Sequence, residues 1–166
     1  MSKPLIIADT RDKKPWNFLE DELFLGTTRQ KVEYGDYTIE GLEHLIFMER
    51  KANAKELAQN ITEKRFHKLM EMAQEFKYKY IIVECPFEHL LEYPKYEQIS
   101  AETKKKIKIH PNLLLSYFAR VTIEYGINVL FCSSVKGGQA MAYRLLRQIY
   151  RREKDNIIKE INDTNL

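Results

Sequence analysis

Four short apolar runs constrain this chain more than anything else in it: LIIA at 5–8, LIFM at 45–48, YIIV at 80–83 and NVLF at 128–131. Each is too short for an ordinary buried helix and rich in residues that fit a pleated sheet, so each predicts a buried strand. Between the later runs the period changes. Leu57, Ile61, Leu69, Met72, Ala73 and Phe76 recur at helical spacing, with Thr62 placed to divide that helix and cap its second half. PNLLLSYFARVTIEY, from Pro111, opens with proline where a helix's first turn tolerates it, and another long helix is expected from Gln139 to about Ile161, behind Gly137 and Gly138. Strands separated by helices predict parallel pairing with helices on both faces of a sheet. Ahead of them, TRQKVEY, DYTIEG and HLIFMERK, punctuated by Gly35 and Gly41, predict an antiparallel meander. The residues from Arg11 to Gly26 have no clean period and are expected to form a loop. The polar stretch 88–109 is expected to be an excursion over the surface. The fold class is therefore α/β, in three layers, with a mixed β-sheet flanked by helices.

At 166 residues this is one domain, 1–166, large enough for a substantial core. No run approaches the ~20 apolar residues that span a bilayer. MSKPLIIADTRD lacks the pattern of a signal peptide, so no membrane partner is expected. Cys85 and Cys132 each close an apolar run, where buried reduced thiols sit. An intracellular protein is expected, cytoplasmic, or nuclear in a eukaryote. The net charge of +3 is too small to prove a nucleic-acid partner, so its distribution matters more.

LIFM stops at Glu49-Arg50-Lys51, three charged groups at the end of a buried strand. Alternation sends Glu49 and Lys51 to one face and Arg50 to the other. If the strands beginning at Asp36 and His44 pair as a hairpin, Asp36 approaches Glu49, and Asp9 at the end of the first strand can join them. Carboxylate oxygens with open water positions suit Mg²⁺, and Mn²⁺ can substitute. A lysine beside them stabilises charge on a phosphoryl group in flight. An acid, a gap, then Glu-x-Lys is the pattern of metal-dependent phosphodiester hydrolysis, although that spacing also arises by chance in charged chains.

The ordered blocks Asp9-Thr10-Arg11-Asp12, Gly35-Asp36-Tyr37 and Glu49-Arg50-Lys51 resemble the V-D-x-R-E, G-D-Y and E-R-K-x-x-x-D blocks of the XPF-type nuclease domain, found in XPF, archaeal Hef and FANCM. The similarity runs from Leu5 to about Glu84. It implies a restriction-endonuclease-like core and a Mg²⁺-dependent DNA endonuclease preferring branched, flapped or single-strand-containing DNA. It further implies that Asp36 and Glu49 hold the metal with Asp9 assisting, that Lys51 acts on the water or the phosphate, and that Arg11 and Arg50 orient phosphate or brace acids. Two positions differ from the pattern. Asp12 stands where the family has Glu. The acid after Glu-Arg-Lys is Glu56, one residue late, with Lys55 in its place; a one-residue shift turns a side chain about 100° around a helix. Both are accessory candidates. The tandem helix-hairpin-helix module that often accompanies this nuclease is not expected here, so a homodimer would use apolar surface on the helices after Pro111 and Gly138.

The remaining motifs have ordinary readings. Gly35-Asp36 alone is turn chemistry, and Glu49 to Lys51 alone is a strand end meeting water. Arg65, His67 and Lys68 suit a solvated helix face. Lys104, Lys105 and Lys106 suit a solvated loop or a phosphate contact equally. Ser133 to Gly138, with Lys136, resembles an anion-binding helix start but lacks the P-loop order, so no nucleotide cofactor is expected. Arg144, Arg147, Arg151 and Lys154 share one helix face and offer a second contact for DNA phosphates. The four histidines share no ligand spacing, which argues against zinc. A sequence-specific restriction-like nuclease and a non-catalytic DNA-binding scaffold are the alternative functions.

Overall fold

The structure, a computed structural model, describes residues 2–164. Its first sheet comprises β1 (Ile6–Ala8), β2 (Thr27–Arg29) and β3 (Tyr37–Ile39) in the order β2-β1-β3. β1 pairs parallel with β2 and antiparallel with β3. The second sheet, β4 (Ile46–Lys51), β5 (Tyr78–Val83) and β6 (Asn128–Phe131), is parallel throughout. The expected meander is thus corrected, because β1 lies between β2 and β3. The sheets meet at Asp36, whose N–H donates to the Met48 carbonyl at 2.8 Å. Gly35 makes that approach possible: its φ is +88°, and a Cβ there would lie 3.0 Å from the Met48 oxygen. The stretch after β2 leaves strand geometry because Val32 turns its N–H onto Asp9.

The helix expected over 54–76 is broken into α1 (Ala54–Asn60) and α2 (Lys64–Ala73). Thr62 acts at the break, but backwards: its hydroxyl donates to the Gln59 carbonyl rather than capping α2. The excursion is more ordered than its composition suggests. It contains α3 (Phe87–Leu91) and α4 (Ala101–Lys106), the latter capped by Ser100. α5 (Pro111–Tyr125) matches its predicted span and ends at Gly126 in the left-handed region. α6 (Val135–Thr164) starts before the predicted Gln139, because the Ser134 hydroxyl accepts the Gly137 N–H. Gly137 and Gly138 therefore lie inside the helix, where Cβ atoms would fall 1.9 Å from the Cys132 oxygen and 2.9 Å from Glu84 Cγ. β6 is a half-buried edge rather than a buried strand. Both cysteines are free thiols, and among the described residues no helix is long and apolar enough to cross a membrane.

Alternation along β4 divides the core. Phe47 joins Ile81, Val83, α1, α2 and α5 in one cluster. Ile46 and Met48 join Ile82, the first sheet and α6 in the other. Helices thus cover both faces of the parallel sheet.

Candidate active site

The same alternation sorts the charges that end β4. Glu49 and Lys51 follow Phe47 toward α1 and α2, where they are only 8% and 6% exposed. Lys51 Nζ lies 3.0 Å from Glu49 Oε1, 3.6 Å from Glu56 Oε1 and 5.2 Å from the centre of the Phe66 ring. Burial opposes the lysine's charge, but Glu49 and Glu56 outweigh it and hold its pKa above the usual value. Lys51 is an ammonium fixed by packing and charge together.

Asp36 reaches the same place from the other sheet. Its Oδ2 accepts the Arg50 N–H at 2.8 Å. Burial, then the charge of Glu49, pushes its carboxyl up to about 8. Asp9 is fully enclosed: Oδ1 accepts the Val32 N–H at 2.9 Å, and Oδ2 accepts from Arg11 Nε. Burial works against its charge as well, yet Val32 and Arg11 hold its pKa below the ordinary value. Arg11 also donates to the Val32 carbonyl, and its side chain remains 64% exposed.

Arg50 faces the α6 side and is enclosed by partners. Nε donates to Glu84 Oε1 at 2.7 Å, and Nη1 donates to Asp12 Oδ2 at 3.0 Å and to the Lys14 carbonyl at 2.7 Å. The guanidinium lies 4.7 Å from the Trp16 ring centre. Trp16 Nε1 donates to Glu84 Oε2, and the Tyr37 hydroxyl donates to Asp12 Oδ2. These contacts make Arg50 a brace that ties the 12–16 loop to the ends of β4 and β5.

Asp9, Arg11, Asp12, Asp36, Glu49, Arg50, Lys51 and Glu56 all line one cleft of about 740 Å³. Glu56 belongs there despite its one-residue displacement. Asn53 caps α1 by accepting the Glu56 N–H at 2.9 Å, and Glu56 Oε2 accepts the Ala52 N–H at 2.8 Å. This arrangement is close to a capping box, and an Asn-x-x-Glu spacing is the signal that could have shown it. Glu84, Trp16 and Tyr37 are the partners that sequence reasoning missed. Glu84 directly follows β5, one position beyond the partner of Lys51 in the parallel register. Arg65 and Lys68 are exposed, as on a solvated face, and also line the cleft, whereas His67 is held by the Ile61 carbonyl and the Tyr117 hydroxyl.

Lys104, Lys105, Lys106, Lys136, Arg144, Arg147 and Arg151 lie outside the cleft. Lys136, Arg144 and Arg151 are exposed on α6. Arg147 is engaged within the protein, where it pairs with Asp21 at 2.7 Å and with Glu22 and so fastens the 21–22 turn to α6.

Among the described residues, no three His, Cys, Asp or Glu side chains converge as a ready metal cage. Lys51 sits on Glu49 and Arg11 on Asp9, which keeps those carboxylates engaged. The donor chemistry nonetheless suits a hard divalent cation. Asp36 has no ion-pair partner among the described residues and is strained by the charge of Glu49, a repulsion that a cation bound by both would relieve. Asp9, with both oxygens taken, fits a supporting place better than a ligand's.

No protein-family model and no curated protein sequence matches the chain. Solved structures do. XPF from Aeropyrum pernix superposes with a TM-score of 0.63 at 19% identity, covering 95% of this chain and 69% of that one. XPF from Aeropyrum pernix in complex with DNA gives 0.60 at 18% identity, covering 90% and 66%. This chain therefore spans about two thirds of the length of those chains. Its fold is the XPF-type nuclease fold.

Proposed function

We propose that this chain is a metal-dependent DNA endonuclease of XPF type. The observation that carries the reading is the meeting of Asp36 and Glu49, from different sheets, beside a buried Lys51 ammonium in one cleft. Asp36 and Glu49 would hold Mg²⁺ or Mn²⁺, which polarises a phosphate and lowers the pKa of a bound water. Lys51 holds its ammonium where charge develops on the phosphoryl oxygens, and its fixed position avoids reorganisation during the reaction. Arg11, anchored through Asp9 and largely exposed, orients a flanking phosphate. Asp9 positions Arg11, Arg50 braces the acids, and Glu56 shares in holding Lys51.

The DNA-bound state of the Aeropyrum XPF structure supports DNA as the substrate. Branched, flapped or single-strand-containing DNA is the proposed form, and a homodimer the proposed assembly. Leu113 and Ile123 on α5, and Ile157 and Ile158 on α6, offer exposed apolar surface for it. The test is cleavage of labelled fork, flap, junction and plain duplex with Mg²⁺, Ca²⁺ or excess chelator. Mg²⁺ should support cutting of the structured substrates, while Ca²⁺ should support binding without turnover. Full activity in chelator would end the reading. Sedimentation showing only monomer at roughly tens of micromolar would remove the dimer.

A further inference from the structure

We infer that the excursion between β5 and α5 is a stacking platform for unpaired bases of a DNA strand leaving the cleft. The inference rests on DNA being the cleft's substrate, and it assigns a place to the strand that the carboxylates do not touch.

The rings of His89 and Tyr96 are stacked, with centroids 4.4 Å apart and planes 12° from parallel. Tyr96 is 45% exposed, and Phe87, packed edge-on against Phe131, is 42% exposed. The platform is held rigidly from beneath, since Leu90 and Tyr93 are buried in the core. It also adjoins the cleft at both ends. Glu84 lines the cleft, and Phe87 follows it by three residues, a span of about 11 Å at full extension. Glu97 Oε1 accepts the Lys55 N–H at 3.2 Å, next to Glu56 on the cleft wall.

Lysines accompany these rings along the excursion. Lys95 Nζ lies 5.2 Å from the Tyr96 ring centre, and Lys104 Nζ donates to the Lys95 carbonyl, tying α4 to the platform. Lys95 is paired with Glu92 and Lys106 with Glu102, whereas among the described residues no carboxylate lies within ion-pair distance of Lys105 or Lys108. The centres of protein–protein interfaces are depleted of lysine, whereas single-stranded nucleic acid binds where aromatic faces alternate with positive charge. Stacking needs only a π-face, so the platform would accept any base. The excursion's lysines that no carboxylate engages would neutralise the phosphates that the stacked bases carry with them.

The test is fluorescence anisotropy with labelled oligothymidylate and with a blunt duplex, both in Ca²⁺. His89→Ala/Tyr96→Ala should weaken single-strand binding roughly tenfold, the worth of about one stacked base, and leave duplex binding unchanged. Tyr96→Phe should bind like wild type, because the ring remains. Asp36→Asn should abolish cutting while keeping single-strand binding, which separates failure of this inference from failure of the nuclease reading. Three outcomes would overturn the inference: oligothymidylate binding by the double variant equal to wild type, equal losses on both probes, or a change in sedimentation with DNA binding intact. The last would make the patch a protein contact.

Discussion

Replacing Arg50 with Met keeps the side chain's apolar stem and removes its guanidinium. The loss comprises the bonds to Glu84, Asp12 and the Lys14 carbonyl, together with the stack on Trp16. Glu84 is then stranded, 6% exposed, with Trp16 Nε1 as its remaining side-chain donor. Removing one partner of a buried ion pair costs about 3–5 kcal/mol. Unfolding entropy of about 2.1 cal/mol/K per residue converts the middle of that range into a fall in melting temperature of roughly 10 °C for a chain of 166 residues. The assay is thermal unfolding by circular dichroism, run beside the double variant Arg50→Met/Glu84→Gln. Gln removes the stranded charge but keeps an acceptor for Trp16, so the double variant should recover most of the loss. Cleavage by Arg50→Met, measured well below its melting temperature, should fall less than that of a Lys51 variant, because the guanidinium acts through the loop and the acids. A melting temperature within about 2 °C of wild type, well inside the expected shift, would refute the brace. So would a double variant no more stable than the single one.

Lys51→Met should lower cleavage by about 100- to 1000-fold, as removal of one preorganised transition-state donor does, while DNA affinity changes only a few-fold; a wild-type rate would reduce Glu49-Arg50-Lys51 to a charged strand end. The same variant should bind Mg²⁺ more tightly by calorimetry, because Glu49 loses its resident cation. Asp36, raised from 3.8 to about 8 on folding, contributes stability that is fully present below about pH 4 and lost as pH rises toward 8. Mg²⁺ must displace that proton, so its apparent affinity, followed by thermal shift, should rise about tenfold per pH unit up to about pH 8, and Asp36→Asn should flatten the slope. Glu56→Gln preserves an acceptor for the Ala52 N–H, so stability, followed by denaturant unfolding, should change by less than about 1 kcal/mol and cleavage by less than about tenfold; a hundredfold loss would place Glu56 among the catalytic groups.

What the residues disclosed in advance follows the range of the interaction that decides each feature. The opposite facing of Glu49 and Arg50 is a consequence of strand pleat, a property of adjacent residues, so it was legible. The span of α5 was legible for the same reason, since Pro111 and Gly126 mark its ends locally. The insertion of β1 between β2 and β3 was not, because pairing order is set by packing across the chain and leaves no trace in any one run. Arg147 shows the same limit in charge: its spacing on α6 is that of a solvated stripe, and only the return of Asp21 and Glu22 from the other end of the chain decides otherwise. Glu56 lies between these cases. Counting residues from Lys51 treated α1 as a rigid continuation of β4, whereas Asn53 restarts the register with its own cap. Distance in sequence from a strand therefore says little about a side chain on the next helix unless the cap between them is located first. Here the cap sets where Glu56 points, and Glu56 in turn meets Lys51 at 3.6 Å. A displaced acid has thereby entered the same charge network as the Glu-Arg-Lys run without occupying the family's spacing.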